Sequence, residues 1–534
     1  MSTASSPDAP PGRVGDAPAL SRRRLVLVLG ALMIGLFLSE LDQTVFATAL
    51  PTVVAELDGL DALFWVNTAY LLTGTLVVPV HGKLGDLLGR KPVFVAGLVV
   101  FLVGSLIGGL AQDMPTLLLA RAVQGLGGGG LIVGVQAIVA EVFAPRERAR
   151  VLSWVGAVFA GSSLLGPVLG GWLAEGPGWR WIFWINLPLG GLAVVAAVRF
   201  LDLPRPGRGV RVDVWGIATL SAAVSALVLL SAWAGTAYAW TSPVVLGLAA
   251  AVLVAGTAFV LVERRTPEPL IPLDLFARRR FTVPTVSALV LAVAMFGTIA
   301  YLPTYLQMAS GLSPRVSGFV MLALIAGLGG ATVIAGHVVA RTGRQRGLAV
   351  TGGGLVAVAL TGLALSPADA GLPVVMGWLL LLGLGIGAGL QLVVVMAQNA
   401  APPAQLGAAT STVSFLREVG VVVGTAAVGA VFTARLNVRL PTNLPGGFDA
   451  AGIGPGQLRE LPVDVQAQVA TAYADALAPV LGWLVPLVVL STVALALVRP
   501  VPLEPSRPSE AVRTGDDPAG RSTTADGAIP RMTP

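Results

Sequence analysis

The sequence predicts an all-α integral membrane protein with fourteen transmembrane helices. Of its 534 residues, 55% are hydrophobic and only 12% are charged, whereas soluble domains carry about 25% charged residues. Its mean hydropathy is +0.82. The apolar residues are grouped in runs of about 20 or more, the length that crosses a bilayer as a helix. Arg and Lys residues cluster between alternate runs, as they do in multi-pass membrane proteins.

The fourteen runs follow one another along most of the chain. They cover 25–51, 62–80, 92–111, 115–141, 150–174, 180–200, 213–234, 243–263, 281–306, 317–340, 347–365, 372–399, 408–435 and 479–499. The count depends most on the last run, because a polar segment, 436–478, precedes it. We expect that segment to be an external loop, long enough to hold a small helix over 463–476.

The basic residues predict the orientation in the membrane. They precede run 1 and lie between runs 2 and 3, 4 and 5, 6 and 7, 8 and 9, and 10 and 11, whereas the first intervening loop carries Glu56, Asp58 and Asp61 and no base. Basic loops stay in the cytoplasm. We therefore expect a protein of the cell membrane, with both termini cytoplasmic. Disordered tails are expected over 1–24 and 501–534, which are rich in Pro and polar residues.

An internal repeat predicts two halves. Gly82–Lys91 follows run 2 and Gly336–Gln345 follows run 10, and both contain Gly, six residues, then Gly-Arg. The offset of eight runs is explained if two six-helix bundles, 25–201 and 281–500, are separated by two additional helices in 213–263. Parallel repeats of this kind build transporters whose substrate site lies between the halves.

Composition and motifs exclude several function classes. The chain has no cysteine and two histidines, so we expect no disulfide, metal centre or other cofactor. The run Gly125–Gly130 lies inside a predicted span and lacks the Lys-Ser/Thr of a phosphate-binding loop. The net charge of +6 fits basic loops better than nucleic-acid binding. We expect no enzyme; transport would draw its energy from an ion gradient.

Five motifs in the first half carry a family resemblance. They are Gly82–Lys91, Leu41–Pro51, Arg121–Gly125, Gly166–Gly171 and Trp179–Pro188. In this order they resemble the fourteen-helix drug:proton antiporters of the major facilitator superfamily. Ala47 and Ser162 depart from the usual pattern, which has Asn and Gly there. The resemblance implies the major facilitator fold and export of hydrophobic or cationic small molecules in exchange for protons.

Intramembrane acids are the candidate proton-coupling residues. An acid within a span is costly and marks a functional site by default. Asp42 and Arg121 lie at similar predicted depths, and the resemblance ranks Asp42 first as the main proton site, with Arg121 as its partner and modulator. Helical periodicity instead favours Glu40, which forms a polar stripe with Thr44 and Thr48 and is about 200° from Asp42. Glu418 is expected to be an accessory acid, beside Arg417. Static ion pairs are the structural alternative.

Two glycine-containing motifs are expected to control the conformation. In the 82–91 motif, the glycines permit close helix approach, and the charges can form an ionic latch; the candidate residues are Gly82, Gly85, Asp86, Gly89, Arg90 and Lys91. The resemblance implies that this latch holds one access state. In the fifth span, the antiporter motif consists of Gly166, Pro167, Gly170 and Gly171. The alternatives are a plain topogenic loop and generic small-residue packing.

A polar-aromatic substrate cavity is also expected. Its candidate lining residues are Asn67, Tyr70, Gln124, Tyr301, Tyr305, Gln307, Gln391 and Gln398, each of which has an ordinary packing role as its alternative. The predicted partners are lipophilic small molecules, protons and the lipid bilayer, for a protein that is monomeric. Three other functions remain open: a dedicated exporter of a metabolite, lipid or amino acid, an uptake symporter, and a non-transporting membrane sensor or intramembrane enzyme.

Overall fold

The computed structural model describes residues 22–57, 62–203, 212–235, 237–367, 370–439, 458 and 462–499. Within them the regular structure is helical, apart from one isolated bridge between Ala234 and Tyr238. The predicted tail 501–534 and nearly all of 1–24 lie outside the described residues, as does 440–457 of the predicted external loop.

The described helices occupy the positions of the fourteen predicted runs. They are α1 (Arg22–Glu56), α2 (Leu63–Leu88), α3 (Arg90–Gly109), α4 (Met114–Val142), α5 (Pro145–Glu175), α6 (Trp181–Trp184), α7 (Asn186–Phe200), α8 (Val214–Trp233), α9 (Pro243–Glu263), α10 (Arg279–Ile299), α11 (Leu302–Met308), α12 (Pro314–Thr342), α13 (Gln345–Leu365), α14 (Leu372–Ala400), α15 (Leu406–Arg439) and α16 (Val463–Leu497). A 3-10 turn, Leu273–Ala277, precedes α10.

The described helices form a multi-pass membrane fold, as predicted. Thirteen segments are long and apolar enough to cross a membrane, with α6–α7 and α10–α11 each counted as one segment. The helix α2 is not among the thirteen, but it has 26 residues and lies where the second span was predicted. The all-α membrane fold is therefore confirmed within the described residues.

Two predicted boundaries are wrong. Helix α1 begins at Arg22, inside the predicted tail. In the predicted loop 436–478, α15 continues to Arg439, and the helix predicted over 463–476 is present but is continuous with the last span as part of α16, Val463–Leu497. Burial explains the extension of the two later helices: Val469, Ala472 and Tyr473 of α16 share an apolar cluster with Phe432 of α15. The packing keeps these residues helical beyond the run predicted from hydropathy alone.

The two copies of the internal repeat occupy equivalent places. A Cβ on Gly82 of α2 would come within 2.8 Å of the Gly407 carbonyl oxygen of α15. A Cβ on Gly336 of α12 would come within 2.6 Å of the Ala149 carbonyl oxygen of α5. Each glycine thus allows its half to approach the backbone of the other half. Only the first copy carries an acid, because the position equivalent to Asp86 is Ala340.

The additional helices pack against one side of the interface between the two halves. Helix α8 contacts both α2 and α15, and α9 packs mainly on α8. We call the end of the bundle that carries Lys83, Arg90, Arg148 and Arg264 the basic end. Both repeat motifs lie at this end, and the two halves meet there.

Candidate functional site: a cavity between the helical halves

A cavity of about 190 Å³ lies between the two halves. Its polar lining comes from four helices, with Glu40 and Gln43 on α1, Thr332 on α12, Gln391 on α14, and Arg417 and Glu418 on α15. Its apolar lining includes Phe159, Met295, Phe296, Leu328, Ile386 and Leu390. An apolar cavity with a few convergent charged groups is the usual form of a small-molecule site.

Glu40 is the acid of α1 that faces this cavity. Periodicity predicted this orientation, and the structure places Glu40 and Gln43 in the lining but not Asp42. Across the cavity, Arg417 Nη2 lies 2.9 Å from Glu418 Oε1. The charged lining therefore combines one acid on the first half with an acid–base pair on the second. With all three groups ionised, the lining carries one net negative charge.

Asp42 lies inside the first half, in a closed ion pair. Its side chain is 0% exposed, that of Arg121 is 1% exposed, and Arg121 Nη1 lies 2.5 Å from Asp42 Oδ2. The other carboxylate oxygen accepts hydrogen bonds from Gln124 at 3.0 Å and from Asn186 at 3.1 Å. The Arg121 guanidinium also lies 4.5 Å from the ring centroid of Phe46. Such a pair stabilises α1, α4 and α7 against one another.

Sequence reasoning missed two members of this network. Ser105 of α3 accepts hydrogen bonds from the Gln124 and Asn186 amides at 3.0 and 3.2 Å. Asn186 is the first residue of α7 and is 2% exposed. Asn186 could have been found, because a buried amide beside a predicted intramembrane acid has to be hydrogen-bonded. Ser105 carries no comparable signal.

Most of the predicted cavity residues do not line the cavity. Of the eight, only Gln391 is among its lining residues. Tyr70 contacts Arg121 and Ser39, and Gln124 belongs to the Asp42 network. Tyr301 donates to the Thr425 carbonyl, Gln307 to Ser317, and Gln398 to Thr410. Tyr305 packs on the apolar core, and Asn67 is half-buried. All of these except Asn67 have a hydrogen-bond partner or a packing contact outside the cavity, which residue type alone does not reveal.

Asp86 links the two halves at the basic end. Its carboxylate accepts hydrogen bonds from the backbone N–H groups of Gly407 and Ala408, at 3.0 and 2.7 Å. These N–H groups belong to the first turn of α15, where the helix dipole favours a negative charge. Gly407 is required here, because a Cβ at this position would overlap the Asp86 carboxylate. The interaction joins the two halves at the basic end.

Arg90 supports Asp86 from the first half. Its guanidinium lies 3.3 Å from Asp86 Oδ1 and 3.2 Å from Glu141 Oε2, and it donates to the Ala137 carbonyl. Gly89 connects α2 to α3 with a φ of 96°, which favours glycine. Lys91 turns away and donates to the Val198 carbonyl. The predicted latch therefore consists of Asp86 and Arg90 without Lys91, and Gly85 is not tightly enclosed.

The helix-5 motif brings α5 against α1. A Cβ on Gly166 would overlap Thr44, and one on Gly170 would lie 2.5 Å from the Val45 carbonyl oxygen. Pro167 lies within the helix, and a Cβ on Gly171 would meet no atom of another helix within 4 Å. Two of the four motif residues thus hold α5 against the part of α1 that follows both intramembrane acids.

We expect Asp86→Asn to open the basic end. The substitution removes the charge from the α15 N-terminus, which is worth about 2 kcal/mol in a partly buried site, or roughly a 30-fold change in the open–closed equilibrium. Spin-label distances between cysteines introduced at the basic ends of α5 and α12 would measure it in a chain that has no native cysteine. Asp113→Asn is the control, because Asp113 caps α4 at the opposite end. Unchanged distances in Asp86→Asn would contradict the role of Asp86.

Comparison with known proteins gives a consistent result. The family model of the Major Facilitator Superfamily matches residues 32–425. The chain is 39% identical over 500 residues to an uncharacterized MFS-type transporter of Mycobacterium tuberculosis, covering 93% of this chain and 72% of that protein. It is 35% identical over 417 residues to the multidrug transporter protein MdtP of Bacillus subtilis, covering 77% and 76%. The crystal structure of the human organic anion transporter MFSD10 superposes with a TM-score of 0.59 at 18% identity, covering 89% and 99%, which supports the fold alone.

Proposed function

The chain belongs to the Major Facilitator Superfamily, and from this premise we propose that it exports hydrophobic or cationic small molecules from the cytoplasm in exchange for protons. The observation that carries the proposal is Glu40, an acid in the lining of a largely apolar cavity between two halves that are joined at the basic end. The multidrug transporter among its relatives supports the drug-like substrate class. The basic end faces the cytoplasm in this proposal, following the distribution of Arg and Lys.

Glu40 is the group at which proton and substrate compete. When Glu40 is ionised, the cavity lining carries one net negative charge and attracts a lipophilic cation. A proton that enters from the outside neutralises the carboxylate and removes that attraction, so the cation leaves. Opening of the basic end then releases the proton to the cytoplasm. The proton binds and leaves as such, and no bond of the substrate changes.

Arg417 and Glu418 set the charge of the opposite wall. Arg417 Nη2 lies 2.9 Å from Glu418 Oε1 and also interacts electrostatically with Glu40, so the three groups together carry one net negative charge when all are ionised. Glu418 is the accessory acid in this proposal: a dication would draw it away from Arg417. The Asp42–Arg121 pair fixes the position of α1, so that Glu40, two residues earlier, faces the cavity.

The alternating movement uses the basic-end contacts. Asp86 holds the N-terminus of α15 in the closed state, and Gly82 and Gly336 allow the halves to meet closely. Rocking of one half against the other breaks the Asp86 contacts and exposes the cavity to the cytoplasm. Alternating access around a site at the interface of two repeats is how such folds transport.

Proteoliposomes with an imposed pH gradient test this function. Addition of a lipophilic cation is expected to dissipate the gradient in vesicles that contain the protein, and not in empty vesicles. A panel of neutral antibiotics, amino acids and lipids tests the dedicated exporter. Compound-dependent proton movement in the same direction as substrate uptake would identify a symporter. Absence of proton movement with every compound would contradict proton-coupled export.

A further inference from the structure

The additional helices carry a buried pair of acids that the transport site does not use. Asp213 precedes α8 and is 8% exposed, and Glu263 ends α9 and is 3% exposed. Both lie at the basic end, where α8 contacts α2 and α15. Neither acid is among the residues that line the central cavity, so the pair does not belong to the site described above.

Each acid has one oxygen in a hydrogen bond and one without a partner. Asp213 Oδ1 accepts from the backbone N–H of Gly216 at 2.8 Å, and Glu263 Oε1 accepts from that of Leu270 at 3.3 Å. Asp213 Oδ2 and Glu263 Oε2 are both buried, and neither accepts a hydrogen bond from the described part of the chain. Buried carboxylate oxygens normally have a partner. Asp213 Oδ2 therefore lacks a donor among the described residues, whereas the backbone N–H of Ile271 lies close to the Glu263 carboxylate.

The two carboxyl groups are close neighbours. A Cβ built on Gly216 would overlap Asp213 Oδ2 and would lie 3.0 Å from Glu263 Oε1. The glycine thus leaves both groups room to approach one small space. Two carboxylates that share a buried site cannot both remain ionised without a counter-charge, because their like charges repel in a medium of low dielectric constant.

The surrounding charged groups connect this pair to the 82–91 motif. Lys83 of α2 interacts electrostatically with Glu263, and its Nζ lies 2.5 Å from Glu268 Oε2. The described charged groups that face Glu263 are therefore Asp213 before α8, Lys83 on α2 and, through Lys83, Glu268 after α9. Lys83 precedes Asp86 by three residues on α2, so it lies next to the contact between Asp86 and α15.

We propose that Asp213 and Glu263 share one proton, and that this proton controls how the additional helices hold the basic end of α2. With the proton bound, one carboxyl group donates to the other carboxylate, and Lys83 remains with Glu268. When the proton leaves to water, the pair gains a second negative charge and attracts Lys83. The additional helices thus act as a proton-sensitive support for α2 and for its Asp86 contact with α15.

Infrared difference spectroscopy of the full chain in lipid nanodiscs tests the shared proton. A carboxyl C=O band that disappears as the pH rises is expected in the parent protein and lost in Glu263→Gln. Asp213→Asn should remove or shift the same band, and it keeps the helix cap because Asn also caps helices. Asp274→Asn is the matched control, since Asp274 is an exposed acid of the same region. A carboxyl band that survives in both Glu263→Gln and Asp213→Asn would overturn the proposal. A band that responds to the concentration of sodium or potassium and not to pH would also overturn it.

A distance measurement tests the consequence for α2. Spin labels on cysteines introduced near the basic ends of α2 and α15 are expected to report a distance change with pH in the parent protein. Glu263→Gln, which retains the size of the side chain and mimics its protonated form, should remove that change. A pH response that persists in Glu263→Gln would overturn the control of α2. Both measurements are made without substrate or flux, so they stand or fall separately from the transport proposal.

Discussion

Glu40→Gln is expected to make the binding of a lipophilic cation independent of pH and at least about 10-fold weaker at neutral pH. The parent protein should bind more tightly as the pH rises, because ionised Glu40 supplies the net negative charge of the cavity lining. An interaction with one charge in a partly desolvated cavity is worth about 1.5–3 kcal/mol, which is roughly 10-fold or more in affinity. Fluorescence titration of the purified protein over a series of pH values measures both effects.

Gln43→Asn is the matched control for this substitution. Gln43 lines the same cavity from the same helix but carries no charge, so its shortening should change affinity without removing the pH dependence. Retention of a full pH dependence in Glu40→Gln would show that another acid titrates with substrate. Loss of pH dependence in Glu418→Gln alone would transfer the role to the opposite wall.

Asp42→Ala is expected to destabilise the protein by about 3–5 kcal/mol. The substitution leaves the Arg121 guanidinium, 1% exposed, buried without its carboxylate partner, and breaking a buried pair costs this much because the remaining charge is uncompensated. Gln124 and Asn186 lose an acceptor as well. Thermal unfolding in detergent measures the loss. The double variant Asp42→Ala with Arg121→Met should be more stable than the single one, since it removes the orphaned charge.

Glu56→Ala gives the comparison at a surface ion pair. Glu56 lies 2.5 Å from Arg180, with side chains 50% and 33% exposed, and accepts a hydrogen bond from Nε1 of the buried Trp179 at 2.8 Å, so its loss should cost about 1–2 kcal/mol, less than the loss of Asp42. Hydrogen bonds from Arg180 and Trp179 lower the pKa of Glu56. Its small contribution is therefore present above its ordinary pKa and is lost as the pH falls. Equal destabilisation by Asp42→Ala and Glu56→Ala would contradict the structural role of the Asp42 pair.

The sequence allowed the span order and the repeat to be predicted because both depend on local composition. It also allowed the orientation of Glu40 to be predicted from a helical stripe, whereas resemblance alone favoured Asp42. Periodicity succeeds here because each face of α1 meets a different environment: the cavity on the Glu40 side and the core of the first half on the Asp42 side.

The rest depends on contacts between distant parts of the chain. Asp86 binds backbone groups 321 and 322 residues away, and backbone partners leave no trace in residue type. Gln398 and Tyr301 are residue types that commonly line polar cavities. Here, however, Gln398 donates a hydrogen bond to Thr410 and Tyr301 donates one to the Thr425 carbonyl. The N-terminal extension of α16 depends on packing against Phe432. Tertiary burial, which a hydropathy window does not contain, determines each of these cases.

Proton release on substrate binding tests the central claim most directly. The purified protein in a weakly buffered solution is titrated with a lipophilic cation at a pH where part of the protein is protonated at Glu40. Binding is expected to release protons from the parent protein and from Gln43→Asn, and to release none from Glu40→Gln. Release that persists in Glu40→Gln but disappears in Asp42→Asn, in a variant that still binds the cation, would contradict the account and place the exchange at the buried pair.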